Sequence, residues 1–186
     1  MDLRRRELLL AASAAVAAGA ALGALPALAA DADTVVMTTK DGKITIQLDP
    51  KLAPGHVKQI ETLVNQHFYD GIVFHRVIGG FMAQTGDPTG TGMGGSKLPD
   101  LKAEFTDTPF KRGTVGMARS SSPDSANSQF FICLGDAPFL NGQYTVVGQV
   151  VSGMDVVDKI KKGASDDNGK VTNPDKIVTM RMASAK

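Results

Sequence analysis

The sequence predicts a mainly β fold, a closed eight-stranded antiparallel β-barrel capped by two α-helices. Three observations lead there. Short β-rich runs bounded by Gly, Pro, Asn or Asp recur along the chain, and only two segments carry a helical period, too few for a βαβ alternation. The composition is globular: of 186 residues, 42% are hydrophobic and the formal charge is +1, against the low hydrophobicity and high charge of a disordered chain. The 20 Gly and 9 Pro follow no fixed period, which excludes a collagen-like chain.

The first element is not part of the fold. Arg4, Arg5 and Arg6 precede an uncharged stretch from Leu8 to Ala30 that closes with Pro26 and Ala27-Leu28-Ala29. A basic start, an apolar middle and a small-x-small end form an export signal, and Arg5-Arg6 followed by Leu8-Leu9 resembles the twin-arginine type. Residues 1–29 are therefore expected to be the signal and 30–186 the domain, with an exported or periplasmic location. The competing reading is an uncleaved membrane anchor; a cleaved chain has no stable membrane insertion. Removing residues 1–29 takes away three arginines, Asp2 and Glu7, and leaves a formally neutral domain.

Along that domain, Thr34 to Thr39 and Ile44 to Leu48 alternate around Lys40-Asp41-Gly42-Lys43, where Asp-Gly is the expected hairpin turn. Pro54 opens a helix whose apolar positions Val57, Ile60, Leu63 and Val64 recur at helical spacing, with a stop near Tyr69-Asp70-Gly71. Strands are predicted over Ile72 to Val77, Gly80 to Thr85, Gly113 to Ala118, Gln129 to Leu134, Thr145 to Val151 and Ile177 to Met182. Met154, Val157, Asp158 and Ile160 mark a second short helix ending around Gly163. Closure of the barrel removes sheet edges, so a monomer is expected.

Several chemistries are excluded. The 20 basic and 19 acidic side chains give no footprint for nucleic acid. One cysteine, Cys133, makes neither a disulfide nor a Cys-based zinc site, and reads as an inert packed thiol. His56, His67 and His75 lack metal-ligand spacing, so no metal or other cofactor is expected. His75 reads as a structural side chain, hydrogen-bonded within the barrel. Gly90-Thr91-Gly92-Met93-Gly94-Gly95 fits a dinucleotide fingerprint only formally, because no strand precedes it and no helix follows. Ser120-Ser121-Ser122 lacks a nucleophile elbow.

What remains is the run FHRVIGGFMAQTGD from Phe74 to Asp87. Alternation places Phe74 and Arg76 on one face of its first strand and His75 and Val77 on the other; Met82 and Gln84 share a face of the second. All ten aromatic residues lie between Phe68 and Tyr144, which by itself is ordinary for a core. With GTVGMAR at 113–119, NSQFFI at 127–132 and FLNGQYTVVGQVVSGMDVVDKI at 139–160, the run resembles the cyclophilin-type peptidyl-prolyl isomerases, in order from about Thr34 to Ala183. The fold of that family agrees with the element count reached independently.

The resemblance implies that Arg76 is catalytic and that Gln84 hydrogen-bonds the substrate backbone. It implies that Phe81, Met82, Phe131 and Leu140 surround the proline ring, with Phe139 and Tyr144 at the rim. Ala118, Arg119 and Gln129 match substrate-contacting positions, and the loop around Gly92 matches one lining the neighbouring subsite. Phe139 stands where many eukaryotic members have Trp, and Tyr144 where they often have His, which implies weak cyclosporin binding. The expected partners are proline-containing polypeptides, met during the folding of exported proteins. The alternative is a proline-peptide binding module or holdase in which isomerisation is incidental; catalysed exchange on an Xaa-Pro peptide separates the two.

Overall fold

The computed structural model describes residues 33–183, so the export signal lies outside the described residues. Eight strands form one sheet: β1 (Thr34–Thr39), β2 (Gly42–Leu48), β3 (Arg76–Ile78), β4 (Met82–Thr85), β5 (Thr114–Met117), β6 (Phe130–Cys133), β7 (Val146–Ser152) and β8 (Thr179–Met182). The helices are α1 (Pro54–Asn65) and α2 (Met154–Lys159). Every pairing is antiparallel, and the order is β3-β4-β6-β5-β7-β2-β1-β8.

The expected closed barrel is corrected to a curled, open half-barrel, because the end strands β3 and β8 do not pair as a ladder. β3 has three residues, and the chain before β8 carries Pro174, which has no N–H to donate, next to Asn173 at φ 52°. Isolated bridges Val73 to Lys176 and Arg76 to Lys170 cover the seam instead, with bonds such as Phe74 N–H to the Asp175 carbonyl at 2.8 Å.

Local chemistry sets the element ends. The β1–β2 hairpin pairs Thr39 with Gly42, so its turn is Lys40-Asp41 rather than the expected Asp-Gly. Proline at the start of α1 needs no hydrogen bond there. The next two amides, of Gly55 and His56, donate to the Glu104 carboxylate, a cap delivered from 49 and 48 residues away. α1 stops at Asn65, short of the expected Gly71: His67 takes φ 57°, and the Phe68 and His67 amides return to the Leu63 and Val64 carbonyls. α2 likewise ends at Lys159. α1 packs against β8 and α2 against β2.

The strand period of two divides the apolar residues between two clusters on opposite faces of the sheet. Phe130 and Ile132 of β6, Val115 and Met117 of β5 and Ala83 of β4 point into the main core with Val57, Ile60 and Leu63 of α1. Phe131 and Cys133 of β6, Met82 of β4 and Val146 of β7 point the other way, to a second cluster with Phe110, Ala137 and Leu140. This second cluster supports the candidate site.

Candidate active site

β3, β4 and β6 bring the chemistry to one face. Their register sets Arg76 opposite Gln84, Gln84 opposite Phe131, and Met82 opposite Cys133. The expected sharing of a face by Phe74 and Arg76 is overturned. β3 begins only at Arg76, and the irregular chain before it turns Phe74 into the main core beside Val77 while Arg76 faces Gln84.

Arg76, Phe81, Met82, Gln84, Ala118, Arg119, Phe131, Leu140 and Tyr144 line a small pocket of about 100 Å³. Its floor is Phe131, stacked on Phe110 at 5.7 Å between ring centroids and edge-on to Tyr144 at 5.9 Å. The close fit needs Gly116: a β-carbon there would lie 2.6 Å from both phenylalanine rings. Phe139 stands outside the pocket, 62% exposed, with its ring 5.3 Å from that of Phe81. The Arg119 guanidinium lies 4.5 Å over the Tyr144 ring and donates to the Gln143 carbonyl, which pins the rim.

Beside the pocket, and sharing Gln84, Ala118 and Arg119 with it, is a cleft of about 590 Å³ that includes Gly92 and Gln129. The two cavities are linked by a chain of hydrogen bonds. Arg76 Nη1 donates to Gln84 Oε1 at 3.3 Å, Gln84 Nε2 to Gln129 Oε1 at 2.9 Å, and Gln129 Nε2 to the carbonyls of Gly92 and Gly94. Burial lowers the Arg76 pKa from its ordinary value, yet a guanidinium remains a cation at any working pH.

A model of the family "Cyclophilin type peptidyl-prolyl cis-trans isomerase/CLD" matches residues 34–182, the whole sheet and both helices. The chain belongs to this family. A probable peptidyl-prolyl cis-trans isomerase of Brucella suis is 60% identical over 164 residues, covering 82% of this chain and 84% of that protein. Peptidyl-prolyl cis-trans isomerase A of Dickeya dadantii is 42% identical, covering 85% and 87%. Among solved structures, a cyclophilin of Cryptosporidium parvum, crystallised in the presence of the dipeptide Ala-Pro, has a TM-score of 0.73 at 29% identity, covering 81% of this chain and 99% of that one. A cyclophilin of Hirschia baltica has a TM-score of 0.74 at 27% identity, covering 83% and 75%. The activity is peptidyl-prolyl cis-trans isomerisation.

In this cyclophilin the glycine-rich loop is built around a carboxylate. Asp87, 1% exposed, accepts from the Thr89 amide and hydroxyl and from the amides of Thr91, Gly92 and Gly94. Burial pushes its carboxyl up, but the bonds from Thr89, Gly94 and Gly92 together outweigh burial and bring its pKa down to about 2. A depressed carboxylate stabilises the fold fully above its unfolded value of 3.8, and that contribution disappears as pH falls through about 2. Asp87→Asn should therefore lower stability by about 2 kcal/mol at pH 7, with the gap to wild type closing between roughly pH 4 and 2, as read by urea unfolding.

His75 is a structural side chain, as expected, but lacks the expected hydrogen bond. It is 7% exposed, and neither ring nitrogen has a hydrogen-bond partner among the described residues. A β-carbon at Gly92, where φ is 86°, would come within 3.4 Å of its ring, so the imidazole is a packing wedge under the loop. Burial lowers its pKa and keeps it neutral at pH 7. Cys133 is buried as expected, its thiol pushed up to about 12 by burial and Asp136.

Sequence reasoning missed two features. Asn127 ties the cleft wall together, accepting from Ser96 and donating to Leu98 and Asp100. Asn168, 92 residues from Arg76 in the chain, contacts its guanidinium. Only the family-like NSQFFI run could have flagged the first; no local signal marks the second.

Proposed function

We propose that the small pocket takes the proline ring of a polypeptide, with Phe81, Met82, Phe131 and Leu140 as its walls, and that Arg76 is the catalytic residue. The observation that carries this reading is a guanidinium, with two N–H groups unbonded among the described residues, set beside an apolar floor on the same face as Gln84 and Phe131. The Ala-Pro dipeptide used with the Cryptosporidium relative supports a proline-containing peptide as the occupant.

Rotation about an Xaa-Pro amide faces a barrier of ~18–20 kcal/mol, because the nitrogen lone pair is delocalised into the carbonyl. In the twisted state that lone pair returns to nitrogen, which becomes a better acceptor. Arg76 donates to it there and far less to the planar amide, so the interaction lowers the barrier rather than merely tightening binding. The apolar walls hold the ring and exclude water, while Gln84 and the main chain at Ala118 and Arg119 anchor the peptide on one side of the rotating bond. A gain of ~10⁵-fold needs about 7 kcal/mol of differential stabilisation, within reach of a charge-assisted hydrogen bond in a dry site together with positioning.

Two-dimensional NMR exchange on a short Xaa-Pro peptide tests the reading; peptide binding without accelerated exchange would instead favour a binding module or holdase. Because Arg76 stays charged and burial favours the neutral form of His75, the catalysed rate should vary little between about pH 6 and 8. A bell-shaped profile would implicate a proton-transferring pair.

The Arg5-Arg6 leader supports a role on exported clients, tested by N-terminal sequencing of the protein recovered outside the cytoplasm. A monomer with weak affinity for cyclosporin completes the proposal, the former because residues 163–171 bond along the outer edge of β3 although the barrel is open, the latter because Phe139 stands where many eukaryotic members have the larger Trp.

A further inference from the structure

The outer edge of β3 is covered by the segment 163–171. The Gly163 amide donates to the Val77 carbonyl at 2.9 Å, the Val77 amide to the Gly169 carbonyl at 2.8 Å, and the Val171 amide to the His75 carbonyl at 3.0 Å. The segment is also tied to itself, Gly169 N–H to the Ala164 carbonyl and Lys170 N–H to that of Asp167. At the tip of this doubly fixed turn, Asn168 takes φ 49° and ψ 30°, a left-handed conformation that asparagine tolerates better than other side chains.

From there Asn168 offers two acceptors to one guanidinium. Its backbone carbonyl accepts from Arg76 Nε at 3.0 Å, and its Oδ1 accepts from Nη2 at 2.8 Å. With Nη1 bonded to Gln84, three of the five guanidinium N–H groups are held, leaving one on each terminal nitrogen for a substrate. A turn that required only the left-handed backbone would be served by glycine. What asparagine adds is the second acceptor: without it the plane would be held only by the Asn168 carbonyl on Nε and by the long 3.3 Å contact of Nη1 with Gln84, whereas the 2.8 Å bond to Oδ1 fixes Nη2 directly.

We propose that Asn168 is a positioning residue for Arg76, its carbonyl and side-chain amide oxygen together orienting the guanidinium toward the proline pocket. The proposal rests on the reading of Arg76 as catalytic.

Asn168→Gly keeps the backbone and removes only the Oδ1 contact, while Asn168→Asp keeps an acceptor at the same place. By NMR exchange on an Xaa-Pro peptide, Asn168→Gly should lower the catalysed rate at saturation by about 10- to 100-fold, with peptide affinity within about twofold of wild type. Asn168→Asp should stay within about threefold of wild type. In an Arg76→Ala background, Asn168→Gly should have no further effect on the rate. An unchanged rate for Asn168→Gly, or a loss of equal factor in both backgrounds, overturns the proposal and makes Asn168 a structural residue. Full activity of Arg76→Ala itself would overturn the reading of Arg76, a separate outcome of the same experiment.

Discussion

Replacing Arg76 by alanine is expected to lower the catalysed rate by about two to three orders of magnitude, the scale seen when one preorganised donor is removed from a transition state. Folding should survive. Arg76 sits at the sheet's end strand, half-buried, and its partners Gln84 and Asn168 border solvent, where water can replace the lost bonds. Arg76→Lys should recover little of the activity although it restores the charge. A lysine has one compact donor group rather than a planar fork, so it cannot bond Asn168 and Gln84 while still presenting an N–H to the pocket. A protease-coupled isomerase assay with both variants, alongside thermal unfolding, reads the result; a fully active Arg76→Lys would mean that charge alone is sufficient.

Phe131→Ala should lower stability and activity together, because the ring serves both the fold and the proline site. It is 5% exposed, stacks on Phe110 and meets Tyr144 edge-on. Loss of a buried phenylalanine ring destabilises by about 3 kcal/mol, the lower end of the usual range because one side of the ring already borders a cavity. Removing the floor of the proline site also forfeits about 1.5–3 kcal/mol of apolar burial for the substrate, so kcat/KM should fall at least about tenfold. Denaturant unfolding and kcat/KM together check it. Phe131→Leu, which refills most of the volume, should recover much of the stability, and an alanine variant with wild-type kcat/KM would place the proline ring elsewhere.

The sheet was legible in the sequence as short β-rich runs bounded by turn residues, and β6 shows what strand geometry adds to that. The run Phe130-Phe131-Ile132-Cys133 is apolar throughout, and in the structure its members alternate between the main core and the pocket floor. The pocket lining was legible only through the family-like motifs, since aromatic content alone does not separate a core from a site. What escaped were features set by long-range contacts. The end of α1 depends on His67 entering a left-handed turn, and the facing of Phe74 depends on the ladder starting late, at Arg76. The open seam and the Asn168 contact both arise where residues around 163–177 return to residues 71–78, a meeting that no local pattern announces.

The most direct test of Arg76 as the group that favours the twisted amide measures binding and rotation in one experiment. Titrating a short Xaa-Pro peptide with wild type and with Arg76→Ala, NMR gives the affinity from shift changes and the cis/trans rate from exchange. The account predicts that Arg76→Ala binds the peptide within about fivefold of wild type while catalysed exchange falls by about 100-fold or more, since the bond forms in the twisted state and hardly in the planar one. Equal exchange rates for the two proteins at saturation, or a loss of exchange wholly explained by weaker binding, would contradict it.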